Sequence, residues 1–175
     1  MEKHTSKNQY MQKGNSLTKG IRSCGIMAYE VTEDFNMSTG KTNTLQRIAD
    51  FLYGTGTRDM TGCSPERVED MVALANQRFP HKTVCVVTDW IYAEIEVSEE
   101  DRAVCLATGI EPVMIYSSRV VSDPRRPYFV GGWVRSTPMV SFTEGCLFES
   151  RNTIYLLQGP GTAKSVGADV IMSLQ

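Results

Sequence analysis

Two stretches carry residue types that could handle a nucleotide. Ser38-Thr39-Gly40-Lys41-Thr42 ends in the Gly-Lys-Thr of a phosphate-binding loop, and Val84-Cys85-Val86-Val87-Thr88-Asp89 is an apolar run ending in an acid. In such a site Lys41 and Thr42 would meet phosphate and magnesium, and the Asp89 carboxylate would hold the ion through water. The spacing is against it: a P-loop sets its first glycine five residues before the second, so that backbone amides curl around phosphate, and Phe35 stands there. A polar loop leading into a capped helix accounts for the same residues.

Other catalytic chemistry has little to build on. The only histidines are His4 and His81, so a Ser-His or Cys-His nucleophile would depend on one of them. Cys85, Cys105 and Cys146 sit in apolar surroundings, where a thiol is inert and packs as a small hydrophobe. Glu144 and Glu149 flank one strand, but spacing alone does not make a carboxylate pair when the pairing register is unknown. The five cysteines are scattered and contain no Cys-x-x-Cys, so neither a disulfide framework nor a zinc site is expected. The residue types favour a non-catalytic protein without cofactor or metal.

A binding site is better supported. Asp123-Pro124-Arg125-Arg126-Pro127-Tyr128-Phe129 is a proline-stiffened loop with two guanidinium groups beside aromatic rings, and Trp133 and Arg135 extend it if the next hairpin folds back. Arginine and aromatic residues dominate binding hot spots because each offers a large, rigid contact surface. Arg125, Arg126, Tyr128, Trp133 and Arg135 are therefore the expected partner-binding residues. The competing reading makes the arginines solvated loop charges and sends Phe129 and Trp133 into the core.

These loops need a frame. From Val113 to Gly161, β-branched and aromatic runs alternate with Asp123-Pro124, Gly131-Gly132, Pro138, Glu144-Gly145, Arg151-Asn152 and Gly159-Pro160-Gly161, a pattern of short strands joined by tight turns. Connections this short suit antiparallel hairpins. Upstream, Leu45, Ile48, Ala49 and Leu52 fall at helical spacing, with Asn43 and Gln46 placed as a capping pair and Gly54 as the stop. A second helix starts at Ser64-Pro65 and shows Val68, Met71, Val72, Ala75 and Phe79 on one face. Thr83 to Thr88 and Ile91 to Val97 read as strands with a bend at Asp89, and Ser98-Glu99-Glu100-Asp101 opens a third helix that Gly109 closes. Thr162 to Gly167 reads as a polar loop, Val170-Ile171-Met172 as a last strand, and Ile26 to Val31 as a first one. The expected fold is α+β: a mainly antiparallel sheet with two or three amphipathic helices packed on one face.

Composition sets the outer limits. With 41% apolar and 22% charged residues the chain has the make-up of a soluble globular protein. Residues 1–20 are polar and lysine-bearing and are expected to form a flexible arm, leaving 21–175 as a single domain. A net charge of −2 gives no general electrostatic case for nucleic acid, although the arm and Arg125-Arg126 keep it an alternative. There is no run of apolar residues long enough for a membrane span or a signal peptide, so a cytoplasmic location is expected. An exposed sheet edge pairing with its twin would give a homodimer.

The runs Pro112 to Tyr116, Arg119 to Val121, Gly132 to Thr137, Ser141 to Glu149 and Asn152 to Gly161 resemble an uncharacterised bacterial domain-of-unknown-function family found in accessory regions and prophages. The resemblance spans mainly residues 84–161. It implies a small accessory protein and transfers no catalytic residue. The resulting expectation is a non-enzymatic binding protein of a bacterial or phage accessory locus. It would regulate or inhibit a protein partner by occupying its surface, with an anti-defence role as one option. The alternatives are a nucleotide-handling enzyme using Lys41, Thr42 and Asp89, and a nucleic-acid-binding protein.

Overall fold

The computed structural model describes residues 39–174. The expected arm over 1–20, the strand at Ile26 to Val31, and His4 and Cys24 lie outside the described residues. The described chain runs α1 (Thr39–Tyr53), β1 (Arg58–Met60), α2 (Val68–Arg78), β2 (Thr83–Glu96), α3 (Glu99–Ala107), β3 (Val113–Ser122), β4 (Val134–Arg135), β5 (Met139–Thr143), β6 (Leu147–Ser150), β7 (Thr153–Leu157), β8 (Gly161–Gly167) and α4 (Ala168–Ser173). It is an α+β arrangement with one curled, mixed and mainly antiparallel sheet.

The long strand β2 is the axis. On one side it pairs antiparallel with β3 from Val86 to Glu94. On the other it pairs parallel with β7 over Thr83 to Val87 and then with β8 over Ile91 to Glu96. These parallel pairings depart from the hairpins expected from short connections, because they join segments far apart in the chain. Beyond β7 lie β6 and β5, and beyond β3 lies β4. Glu111 N donates to Met139 O at 2.8 Å, which ties the start of β5 back to the chain entering β3 and curls the sheet around its inner face.

The sheet kinks along one line. Asp89 has φ of 51°, and the inward side chains of β2 change there from Cys85 and Val87 to Trp90 and Tyr92. On β3 the same break falls between Ile115 and Val120, and the Ser117 hydroxyl donates to Thr88 O at 2.7 Å across it. In the third strand position the break is Gln158 to Pro160, between β7 and β8. Trp90 fills the kink, 1% exposed, and its indole N–H reaches Gly159 O at 3.2 Å. Gly161 is required beside it, since a Cβ there would lie 2.3 Å from the indole ring.

The inner face is filled by Trp90, Tyr92, Phe148, Tyr155, Leu157, Ile115 and their neighbours. The outer face carries two separate helical covers. Met71 and Ala75 of α2 pack on Val84, Val86, Leu147, Ile154 and Leu156. Phe51 of α1 and Val170 and Ile171 of α4 pack on Ile91, Ala93, Ile95 and Val166.

Several element boundaries differ from expectation. The first helix starts at Thr39, so Asn43 lies inside it, and Phe51 rather than the 68% exposed Leu45 makes its deepest contact. Helix α3 is capped as expected, with Ser98 Oγ accepting from Asp101 N at 3.1 Å, but it buries no residue. Thr162 to Gly167 is strand β8, not a loop: its place between β1 and β2 satisfies its backbone whatever its side chains. Val170-Ile171-Met172 belongs to α4, not to a strand.

Candidate functional site

The loop after β3 is fixed by one carboxylate. Asp123 is buried, its Oδ1 accepts from Arg125 N at 3.0 Å, and its Oδ2 accepts from Arg126 Nε at 2.8 Å. That hydrogen bond raises the Arg126 pKa above its ordinary value, so the guanidinium is permanently charged. Arg126 also lies 4.8 Å over the Phe129 ring, a cation–π contact that presses the arginine against the half-buried aromatic. Downstream the loop zips onto β3, with Gly131 N donating to Val120 O and Val120 N to Gly132 O, both at 2.7 Å.

This places Trp133, 40% exposed, in a stack on Tyr116 of β3, with centroids 6.2 Å apart and planes 21° from parallel. Tyr116 in turn meets Phe51 of α1 edge-on. The indole is thus supported from the core outward. Arg135 Nη1 donates to Ile171 O at 2.6 Å, near the C-terminal end of α4 where helix carbonyls lack partners. Between these groups opens a cleft of about 240 Å³ lined by Arg126, Phe129, Trp133, Val134, Arg135 and Leu174.

Of the five expected partner-binding residues, Arg126, Trp133 and Arg135 line this cleft. Arg125 and Tyr128 are exposed on the loop outside the lining, Tyr128 at 84%. Asp123, Tyr116 and Leu174 were missing from the sequence-based set. Asp123 had a signal, since an Asp-Pro-Arg-Arg turn invites the side chain to accept from amides two and three residues on. Leu174 had none, because its role depends on the course of α4.

The residues of the nucleotide alternative are not brought together around a phosphate-binding strand. Lys41 and Thr42 lie in the first turns of α1. Asp89 is an exposed residue of β2, whose two sides are taken by β3, β7 and β8, all of them later in the chain. Glu144 and Glu149 do not converge: Glu144 pairs with Arg78 at 3.0 Å and Glu149 with Lys82 at 2.6 Å. Burial pushes the Cys85 thiol and the Tyr155 hydroxyl up to about 12 each, so both stay protonated and inert near neutrality. Among the described residues no group of three or more His, Cys, Asp or Glu side chains is placed to hold a metal ion, and no helix is long and apolar enough to cross a membrane.

A second cleft, of about 290 Å³, lies on the other side of α4 and is lined by Arg47, Asp50, Glu96, Lys164 and Val170 among others. Its groups serve the fold. Lys164 is 6% exposed and donates to Phe51 O and Gly54 O, both at 2.6 Å, capping the C-terminal end of α1. Arg47 reaches across to Asp169 at the start of α4, with Nη2 to Oδ1 at 2.9 Å.

A family model described as a domain of unknown function, DUF6957, matches residues 60–173. The chain belongs to that family. The DUF6957 match takes in β2 to β8, the whole arginine loop and Asp89, and it leaves out Lys41 and Thr42. Neither a curated protein nor a solved structure matches the chain.

Proposed function

We propose that this DUF6957 domain is a non-enzymatic binding protein of a bacterial or phage accessory locus. It acts in the cytoplasm and regulates or inhibits a protein partner by occupying an acidic segment of that partner's surface. The observation that carries the reading is the arginine cleft itself. Three cationic or aromatic anchors, Arg126, Trp133 and Arg135, are each held in place by a different support: Asp123, Tyr116 and the Ile171 carbonyl. Preorganised side chains lose little entropy on binding, which is the condition for a hot spot. Asp123 is the one acid paired with these arginines among the described ion pairs, so the cleft favours a carboxylate-bearing partner although the whole chain is slightly acidic.

The test is capture from a nuclease-treated bacterial lysate by the full-length chain, side by side with Trp133→Ala and Arg135→Ala. A protein retained stoichiometrically by the parent and at least about tenfold less by folded Trp133→Ala supports the reading, since a hot-spot truncation costs upward of 2 kcal/mol. Equal retention by the folded variants overturns the cleft as the site. Material that disappears on nuclease treatment, with affinity falling steeply in salt, assigns the surface to nucleic acid instead.

A further inference from the structure

Two cysteines dock at one end of β7 under α2, outside the cleft, and the Cys63 thiol donates to Ser64 O at 3.4 Å. Cys63 N donates to Leu157 O at 2.7 Å, Leu157 N donates to Cys146 O at 2.9 Å, and Gly159 N donates to Cys63 O at 2.8 Å. Both cysteines therefore dock along the same side of the end of β7, Cys146 opposite Leu157 and Cys63 opposite Gln158. Each is 3% exposed, both are free, and both belong to the apolar cluster that α2 covers. Burial first, and then the charge of and a hydrogen bond with the neighbouring Cys63 thiol, push the Cys146 thiol up to about 11, against a smaller opposing pull from Arg67. Free buried cysteines usually pack alone; here two from segments far apart in sequence share one site.

We infer that Cys63 and Cys146 form a reversible intramolecular disulfide when the protein meets a peroxide. The Cys63 sulfur attacks the peroxide, forming an S–O bond, breaking the O–O bond and releasing one water, which leaves a sulfenic acid. The Cys146 sulfur then attacks the Cys63 sulfur, forming the S–S bond and breaking S–O, with the second water leaving. The two thiols give up two electrons and two protons, and the peroxide takes both. The bond fastens the segment leading into α2 to the β5–β6 hairpin across the end of β7, and it closes a long loop of chain, where a cross-link restricts the unfolded state most. It leaves Arg126, Trp133 and Arg135 untouched, so partner capture should not depend on it.

The experiment treats reduced full-length protein with hydrogen peroxide until the half-buried Cys105 is fully oxidised, which shows that oxidant was sufficient. Remaining thiols are then alkylated and the protein is digested without reduction for mass spectrometry. The expected result is a peptide pair joined through Cys63 and Cys146, with a melting temperature raised by about 10 °C. Dithiothreitol should reverse both changes, and Cys63→Ser and Cys146→Ser should each abolish them. Alkylation of both Cys63 and Cys146 under those conditions overturns the inference, as does a sulfinic acid on either or linkage of either to another cysteine.

Discussion

The two halves of β2 are covered in different ways. Before the kink at Asp89, α2 seals Val84 and Val86 with Met71, Ala75, Leu147, Ile154 and Leu156, an apolar layer edged by Cys63 and Cys146. After it, α1 and α4 cover Ile91, Ala93 and Ile95, but this half also holds the buried ammonium of Lys164, and Arg135 is spent on α4. Both clefts border the second half, Val170 lining one and Leu174 the other. A cover shared between two helices leaves polar seams that a single amphipathic helix closes. The first half thus supplies stability and the second supplies surface.

The largest blow to this division should come at its boundary. Trp90→Ala removes the side chain that fills the kink against Gly161 and leaves a cavity that two halves of the sheet share. The expected loss is about 3–5 kcal/mol, read from urea denaturation, with both halves melting together. A loss below about 1 kcal/mol would mean that the kink is held by backbone pairing alone.

Next is the half-buried ion pair between Lys82 and Glu149 on the sealed half. Lys82 Nζ lies 2.6 Å from Glu149 and 2.8 Å from Ser150 O, and the Ser141 hydroxyl donates to Glu149 at 2.6 Å. Burial alone would raise the Glu149 carboxyl, but the hydrogen bonds from Lys82 and Ser141 and the lysine charge together hold it below its ordinary value of 4.5. Lys82→Met strands this carboxylate and should cost about 2–3 kcal/mol at pH 7. Because the folded value is depressed, the unfolded chain binds more protons once pH drops below about 4.5, so the parent loses this contribution through that acid window. Urea melts of both proteins at neutral pH and below pH 4 should show the gap between them narrowing with acid.

The sealed half was also the more legible in sequence. Val68, Met71, Val72, Ala75 and Phe79 repeat at helical spacing because α2 has one flat apolar neighbour, and Ser64-Pro65 marks its approach. The open half hid its structure. Lys164 made β8 look like a loop, although its stem crosses the apolar layer and only its ammonium, bound to two carbonyls, is polar. With β8 misread, the parallel pairing to β2 could not be inferred either, since connection lengths report only on neighbours in sequence. The arginine-aromatic loop was legible in its residue types, and Trp133 and Arg126 do meet in one cleft. Arg125 and Tyr128 do not line it, because the 3-10 turn at Pro127–Phe129 brings Arg126 and Phe129, three residues apart, to one side and leaves Arg125 and Tyr128 outside.

That lysine gives the third test. Lys164→Met keeps the stem but leaves the Phe51 and Gly54 carbonyls without their donor, a loss of about 1–3 kcal/mol. The signature distinguishes the halves: amides of α1 should exchange faster with deuterium while those of α2 keep their protection. Equal acceleration in both helices would show that the two covers unfold as one unit and are separate only in composition.

The smallest effect sets backbone strain against an exposed ion pair on the sealed half. In the turn joining β5 to β6, Cys146 N donates to Thr143 O at 3.2 Å, and the two central residues have positive φ, 56° at Glu144 and 68° at Gly145. This is the conformation for which Asn-Gly is the preferred pair, because asparagine enters the left-handed region more readily than glutamate. Glu144 keeps its place with a link to Arg78, but both side chains are about two-fifths exposed, at 39% and 40%, and such pairs contribute only about 0.2–1 kcal/mol. Glu144→Asn relieves the strain and forfeits the pair. The relief should win by about 0.5 kcal/mol, and the gain should grow in high salt, where the parent's ion pair is screened. If the variant is instead less stable at low salt and equal to the parent at high salt, the Arg78 contact is part of what fastens α2 to the hairpin, and the sealed half owes its stability to charge as well as to packing.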